Sequence, residues 1–92
     1  ARSWLELLEN MDLGVIAFAS EKKQIVFQNR TMRGLMPDGS LDEYAQLEKI
    51  FLSDPEVLSA AKPSQQKLLL ADKTIGFTVY PRVNGLQWIL AS

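Results

Sequence analysis

Residues 14–36 constrain this chain most. They read Gly-Val-Ile-Ala-Phe-Ala, then Ser-Glu-Lys-Lys, then Gln-Ile-Val-Phe-Gln, then Asn-Arg-Thr-Met-Arg-Gly-Leu-Met. Two short β-rich runs separated by a charged turn predict a hairpin over residues 15–19 and 24–28. A loop at residues 20–23 sets Phe18 opposite Ile25 and Ile16 opposite Phe27, so four large side chains share one face. Val15, Ala17, Ala19, Val26 and the two glutamines share the other. One face therefore packs into a core, and the other is covered lightly or not at all. Asn29 follows as a helix N-cap, because its side-chain oxygen can take a free amide of the first turn. The helix it opens, over residues 30–36, stops at the turn signal Pro37-Asp38-Gly39.

Upstream, Ser3 and Glu6 match a capping box for a helix that ends near residues 10–12. Trp4, Leu7, Leu8 and Met11 fall at helical spacing, and Leu5 widens the apolar face. Such a helix packs on its own domain or is shared with a second subunit. Downstream, Ser40 and Glu43 form another capping box, opening a helix with Leu41, Tyr44, Leu47 and Phe51 on one side. Asp54 and Pro55 start a third helix as cap and first residue, with Val57, Leu58 and Ala61 as its apolar side and Pro63 at its end.

From residue 66 onward the pattern is strand, over 67–71, 74–82 and 86–91. Asn84-Gly85 is a strong hairpin turn, since a type I′ turn needs positive φ at both positions. Its register sets Val83 opposite Leu86, Pro81 opposite Trp88 and Val79 opposite Leu90. One face then carries Ile75, Phe77, Val79, Val83, Leu86, Trp88 and Leu90. The other carries Thr78, Tyr80, Arg82, Gln87 and Ile89, where Tyr80 and Ile89 form a patch for the N-terminal helix. The expected fold is α+β: a five-stranded antiparallel sheet with short helices on one face. Residues 1–13 form a flanking helix and residues 14–92 a single domain.

Composition removes most chemistry. The 92 residues suit one domain, and 47% hydrophobic content supplies a core. There is no cysteine and no histidine, hence no disulfide, no thiolate nucleophile and no imidazole base or ligand. The absence of cysteine fits the cytoplasm. A net charge of −1 with scattered basic residues gives no field for nucleic acid or an acidic membrane surface. No apolar run approaches the ~20 residues of a membrane span. Glu6, Glu9, Asp12, Asp42, Glu43 and Glu48 fall at solvent-facing helix positions, and no serine or threonine has a base to activate it, so the domain itself is expected not to be an enzyme.

The order of these motifs resembles the PAS family of small sensory modules. Gly14-Val15-Ile16 is similar to its opening strand, Gln28-Asn29-Arg30 with Leu35-Met36 to its second strand and first helix, and Asn84-Gly85 with Trp88-Ile89-Leu90 to its last two strands. The chain departs from the family at Ala19, where an acidic residue is frequent, at residues 20–23, where a glycine is frequent, and at Pro37. The resemblance implies a sensor piece of a longer signalling protein, with an output domain beyond Ser92. A sensor histidine kinase is the expected parent, and a cyclic-dinucleotide enzyme or a transcription regulator are alternatives. It also implies a homodimer, with Trp4, Leu5, Leu8, Tyr80 and Ile89 as candidate interface residues. The family's cysteine-linked flavin and hydroxycinnamoyl chromophore need a cysteine, and its haem needs a histidine, so neither cofactor type is expected; non-covalent flavin has no positive support. A small-molecule pocket would lie between the helical middle and the apolar sheet face, lined by Met32, Tyr44, Phe51, Leu58, Phe77 and Trp88 with Arg33 as an anion contact. Against it stands the reading that these residues simply fill the core. A ligand-free dimerisation or scaffolding module of the same shape is the remaining alternative.

Overall fold

Asn29 and two tight turns fix how the strands meet. The computed structural model of the chain describes residues 4–36 and 41–92. In order these form α1 (Trp4–Glu9), β1 (Gly14–Ala19), β2 (Gln24–Gln28), α2 (Arg30–Leu35), α3 (Tyr44–Ile50), a 3-10 turn (Pro55–Ser59), β3 (Ser64–Leu70), β4 (Lys73–Val79) and β5 (Gln87–Ala91). The strands make one antiparallel sheet in the order β2-β1-β5-β4-β3. The fold is α+β, as the sequence pattern predicts. The caps expected at Ser3 and Ser40 and the turn at residues 37–39 lie outside the described residues.

One face of the sheet is the core face. Ile16 and Phe18 of β1, Ile75, Phe77 and Val79 of β4, and Ile89 and Ala91 of β5 form one buried cluster with Met32, Leu47, Val57 and Leu58 from the helical middle. β1 lies between β2 and β5, and it is buried on both faces: Val15, Ala17 and Ala19 are inaccessible too. The expectation of a lightly covered second face therefore fails along β1. Gly14 stands where α2 crosses β1. A Cβ there would meet Leu35 Cδ1 at 3.0 Å and the Met32 Cα at 3.2 Å, so a side chain would push α2 off the sheet.

Both hairpins slip by one residue relative to their turns. In the first, Phe18 pairs Ile25 as expected, but Ala17 pairs Phe27 and Ile16 pairs Gln28. Val26 is the extra residue, and it is exposed. The cause is Asn29. Its backbone amide donates to Val15 O at 3.0 Å, and its side-chain oxygen accepts from Val15 N at 2.9 Å. That junction pins one register and the turn pins another, and the bulge absorbs the difference.

In the last hairpin, Val83 and Leu86 do bridge across Asn84-Gly85, whose φ values are +52° and +81°. Beyond it Val79 pairs Ile89, not Leu90, and Tyr80 N donates to Trp88 O. The slip falls at residues 81–82, where Pro81 has no amide to give the ladder. Because a one-residue shift turns every side chain over, Gln87 and Ile89 face the core, while Trp88 and Leu90 move to the outer face.

The helical middle also differs from expectation. α3 begins at Tyr44, three residues later than predicted. Gln28 explains this: its side chain accepts from Leu41 N at 3.1 Å and donates to Leu41 O at 3.0 Å, holding Leu41 extended. Gln46 Oε1 then accepts from Glu43 N at 2.9 Å to close the first turn. The third helix is a 3-10 turn from Pro55 to Ser59, with Ala61 exposed. Asp54 makes no side-chain cap there; its Oδ2 accepts from Gln66 Nε2 at 3.1 Å. β3 starts three residues earlier than predicted and turns into β4 through Ala71 and Asp72, both at positive φ.

Candidate functional site

Five of the seven expected pocket residues converge. Met32 comes from α2, Tyr44 and Phe51 from α3 and its end, Leu58 from the 3-10 turn, and Phe77 from β4, all in the one buried cluster. Phe51 meets Phe77 edge-on with ring centres 5.3 Å apart, and Phe18 meets Tyr44 at 5.8 Å. The other two do not join them. Trp88 sits half-buried on the outer face opposite Ala17, for the register reason above. Arg33 is exposed on α2, where its guanidinium donates to Gln28 O at 2.9 Å and pairs with Glu9 at 3.2 Å. It is a surface tie, not an anion contact in the core.

Access from solvent reaches this cluster at Tyr44 and Leu58. They line an open groove of about 270 Å³ between α3, the 3-10 turn and the two hairpin ends, together with Glu48, Ser59, Glu21 and Arg82. Arg82 and Glu21 form an ion pair across it. The Tyr44 hydroxyl titrates above the ordinary tyrosine value of 10.0, first because burial disfavours its anion and second because the Glu48 carboxylate repels it. Glu48 and Arg82 are groove residues that sequence reasoning missed. The four-residue spacing of Tyr44 and Glu48 on a helix could have signalled the first; nothing local joins Arg82 to Glu21, 61 positions apart.

A second groove, of about 450 Å³, runs over the outer face of β3, β4 and β5, past Lys67, Gly76, Thr78 and Leu90. Among the described residues no group of three metal-ligating side chains is present, and no helix is long and apolar enough to cross a membrane.

The expected interface residues divide. α1 has no buried residue; Trp4 is 60% and Leu7 69% exposed, and Leu5 and Met11 are exposed as well. Leu8 is half-buried. Tyr80 is exposed beside Trp88 on the outer face. Ile89 is the correction: at 0% exposure in the core it cannot meet a partner.

What holds α1 is polar. Asn29 Nδ2 donates to Leu8 O at 2.7 Å and to Leu13 O at 2.8 Å, while Asn29 Oδ1 accepts from Val15 N and Met32 N, each at 2.9 Å. Thr31 Oγ1 donates to Met11 O at 2.5 Å, and Arg33 takes Glu9. One side chain thus joins α1, the loop after it, β1 and α2. The N-cap role was readable from the sequence; the link to α1, across 21 positions, was not.

Compared with known proteins, the chain matches no family model, no curated protein and no solved structure.

Proposed function

We propose that the chain is a sensory or regulatory module of PAS type within a larger cytoplasmic signalling protein, with a sensor histidine kinase as the first parent to test. The observation that carries this reading is the Asn29 junction. It ties a flanking helix with an exposed apolar surface to the first strand of the sheet and to the helix α2 that crosses it. A shift of β1 or α2 then moves α1, and a shift of α1 reaches the core by the same four hydrogen bonds. In a dimer built on Trp4, Leu5 and Leu8, that movement would reset two subunits against each other and pass to an output domain. The domain itself performs no catalysis in this reading. A cyclic-dinucleotide enzyme or a transcription regulator would use the same movement.

A second reading has its own support. The aromatic pairs Phe51–Phe77 and Phe18–Tyr44 sit where a core ligand would lie. That favours a ligand-free dimerisation or scaffolding module.

Light scattering on purified protein tests the part common to both. We expect a dimer at micromolar concentration that Leu5→Glu or Leu8→Glu converts to monomer. A wild type that stays monomeric across that range overturns the self-association both readings require. Native beside denaturing mass spectrometry then separates them, since a co-purified small molecule belongs only to the first.

A further inference from the structure

The groove at Tyr44 holds two polar groups that no described part of the protein engages. Tyr44 and Glu48 stand one turn apart on α3 and both line it. Among the described residues the Glu48 carboxylate has no ion pair and no hydrogen bond, and the Tyr44 hydroxyl has no hydrogen-bond partner. Across the groove Arg82 is already taken by Glu21, and that pair is neutral as a unit. The charge left facing the groove is therefore that of Glu48. Leu58 and Pro55 supply an apolar wall, with the Ser59 hydroxyl beside it.

These features select by sign. An anionic ligand would meet the unpaired Glu48 carboxylate, and at Arg82 it would meet a guanidinium whose charge Glu21 already offsets. A neutral apolar ligand would leave the carboxylate and the phenol without partners, which costs affinity in a partly dehydrated site. A cation satisfies both, since an ammonium carries three donors.

We infer that this groove is a binding site for a small organic cation, a primary amine on a short apolar chain, with its ammonium between the Glu48 carboxylate and the Tyr44 hydroxyl oxygen and its chain against Leu58. The volume of about 270 Å³ lies just under the roughly 300–1,000 Å³ of sites for drug-sized ligands, which points to a metabolite-sized occupant. A tyrosine hydroxyl is protonated in the physiological range, and burial and then Glu48 raise its pKa further here, so its oxygen is a neutral acceptor. The Tyr44 ring touches Phe18 of β1, which gives an occupant a route to the strand that Asn29 holds. The site deepens the sensory reading and rests on it for its consequence, while its chemistry stands apart from it.

Titration of isotope-labelled protein with n-butylamine, n-butanol and butyrate, followed by amide chemical shifts, tests the inference. We expect n-butylamine to bind with a millimolar or lower dissociation constant, with shifts centred on Ser20, Glu21, Tyr44, Glu48, Leu58 and Ser59. Butanol and butyrate should bind at least tenfold more weakly. Glu48→Gln should weaken the amine tenfold or more with the rest of the spectrum unchanged, while Leu69→Ala, on the outer face of β3, should leave its affinity intact. Equal binding of butanol or butyrate, or full amine affinity in Glu48→Gln, overturns the amine site while leaving ligand sensing in place. If none of the three moves an amide at tens of millimolar, the amine site falls, and the ligand branch of the sensory reading loses this groove as its site.

Discussion

Two buried amides in this protein do opposite things. Asn29 is fully buried, and its side chain makes four hydrogen bonds that together join three elements and a loop. Gln87 is 1% exposed, and its side chain makes one, from Nε2 to Tyr80 O at 3.2 Å; its Oε1 is buried with no partner. The same functional group, at the same depth, is a structural joint in one place and an unmet acceptor in the other. The difference lies in the neighbours. Asn29 sits at a helix start and a strand end, where free backbone groups need partners. Gln87 faces the core from β5, opposite Phe18, where its Nε2 finds one backbone carbonyl, Tyr80 O, and its Oε1 finds no donor. A buried polar group stabilises where its donors and acceptors find partners.

The largest test of that contrast is Asn29→Ala. It strands Val15 N, Met32 N and Leu13 O at once, and leaves Leu8 O only its longer bond from Met11 N at 3.4 Å. At about 1 kcal/mol for each of the three groups left without a partner, the cost is about 3 kcal/mol, a fall in Tm of roughly 12–24 °C for a domain of this size. Urea denaturation and calorimetry check it, and a loss under about 1 kcal/mol would show that the junction is incidental.

Asn29→Asp splits the joint. It keeps an oxygen for Val15 N and Met32 N but turns the two donated bonds to Leu8 O and Leu13 O into oxygen–oxygen contacts. We expect about 1–2 kcal/mol of destabilisation, with hydrogen exchange quickened in α1 and the loop at residues 10–13 and held in β1. Uniform quickening across the sheet would mean that the two halves of the junction do not separate.

Gln87→Met should do far less. It deletes the unmet acceptor, which costs about 1–3 kcal/mol when buried dry, and it also deletes the bond to Tyr80 O, worth about 1 kcal/mol. The balance is a gain of about 0–2 kcal/mol, so stability should stay near that of wild type and on the favourable side. A loss of 2 kcal/mol or more would place Gln87 beside Asn29 as a joint, and the contrast would fail.

The same contrast shows what the sequence made legible. Asn29 stood before a helical run and after a strand, so its capping role followed from its position alone. Strand existence, both turns and the core face of β4 were legible for similar reasons, since each depends on neighbours a few residues away. The faces of β5 were not. They depend on a slip at Pro81 and Arg82, and the turn at Asn84-Gly85 by itself predicts the other register. That one residue exchanged Trp88 for Ile89 in the core, removing Trp88 from the expected pocket and Ile89 from the expected interface. The bulge at Val26 was hidden in the same way, because the residue that causes it, Asn29, acts through Val15, 14 positions back. Gln87 was read as an outer-face residue by that same missing slip. The groove at Glu48 and Arg82 needed the turns of both hairpins to be side by side, which no local pattern encodes.

The smallest effect on global stability should come from the outer ties of α1, and it sharpens the comparison most. Thr31→Val removes the donor to Met11 O at nearly constant shape, and Arg33→Ala removes the exposed pair with Glu9 together with the exposed bond to Gln28 O. Water replaces the two exposed hydrogen bonds, an exposed ion pair contributes about 0.2–1 kcal/mol, and no residue of α1 is fully buried, so the double variant should unfold within about 1 kcal/mol of wild type. Locally the result should be large. A helix of six residues has no stability of its own in water, and of the described side-chain bonds from α2 and its cap only that of Asn29 would remain. Exchange of the backbone amides of residues 7–10 should approach unprotected rates while β1 and β5 keep theirs, and the emission of Trp4 should shift toward that of free tryptophan. If α1 keeps its protection without Thr31 and Arg33, Asn29 alone is sufficient to seat it. If α1 is released with the core intact, Asn29 holds the fold together while its neighbours on α2 set the position of the arm, and the two functions of the junction can be varied separately.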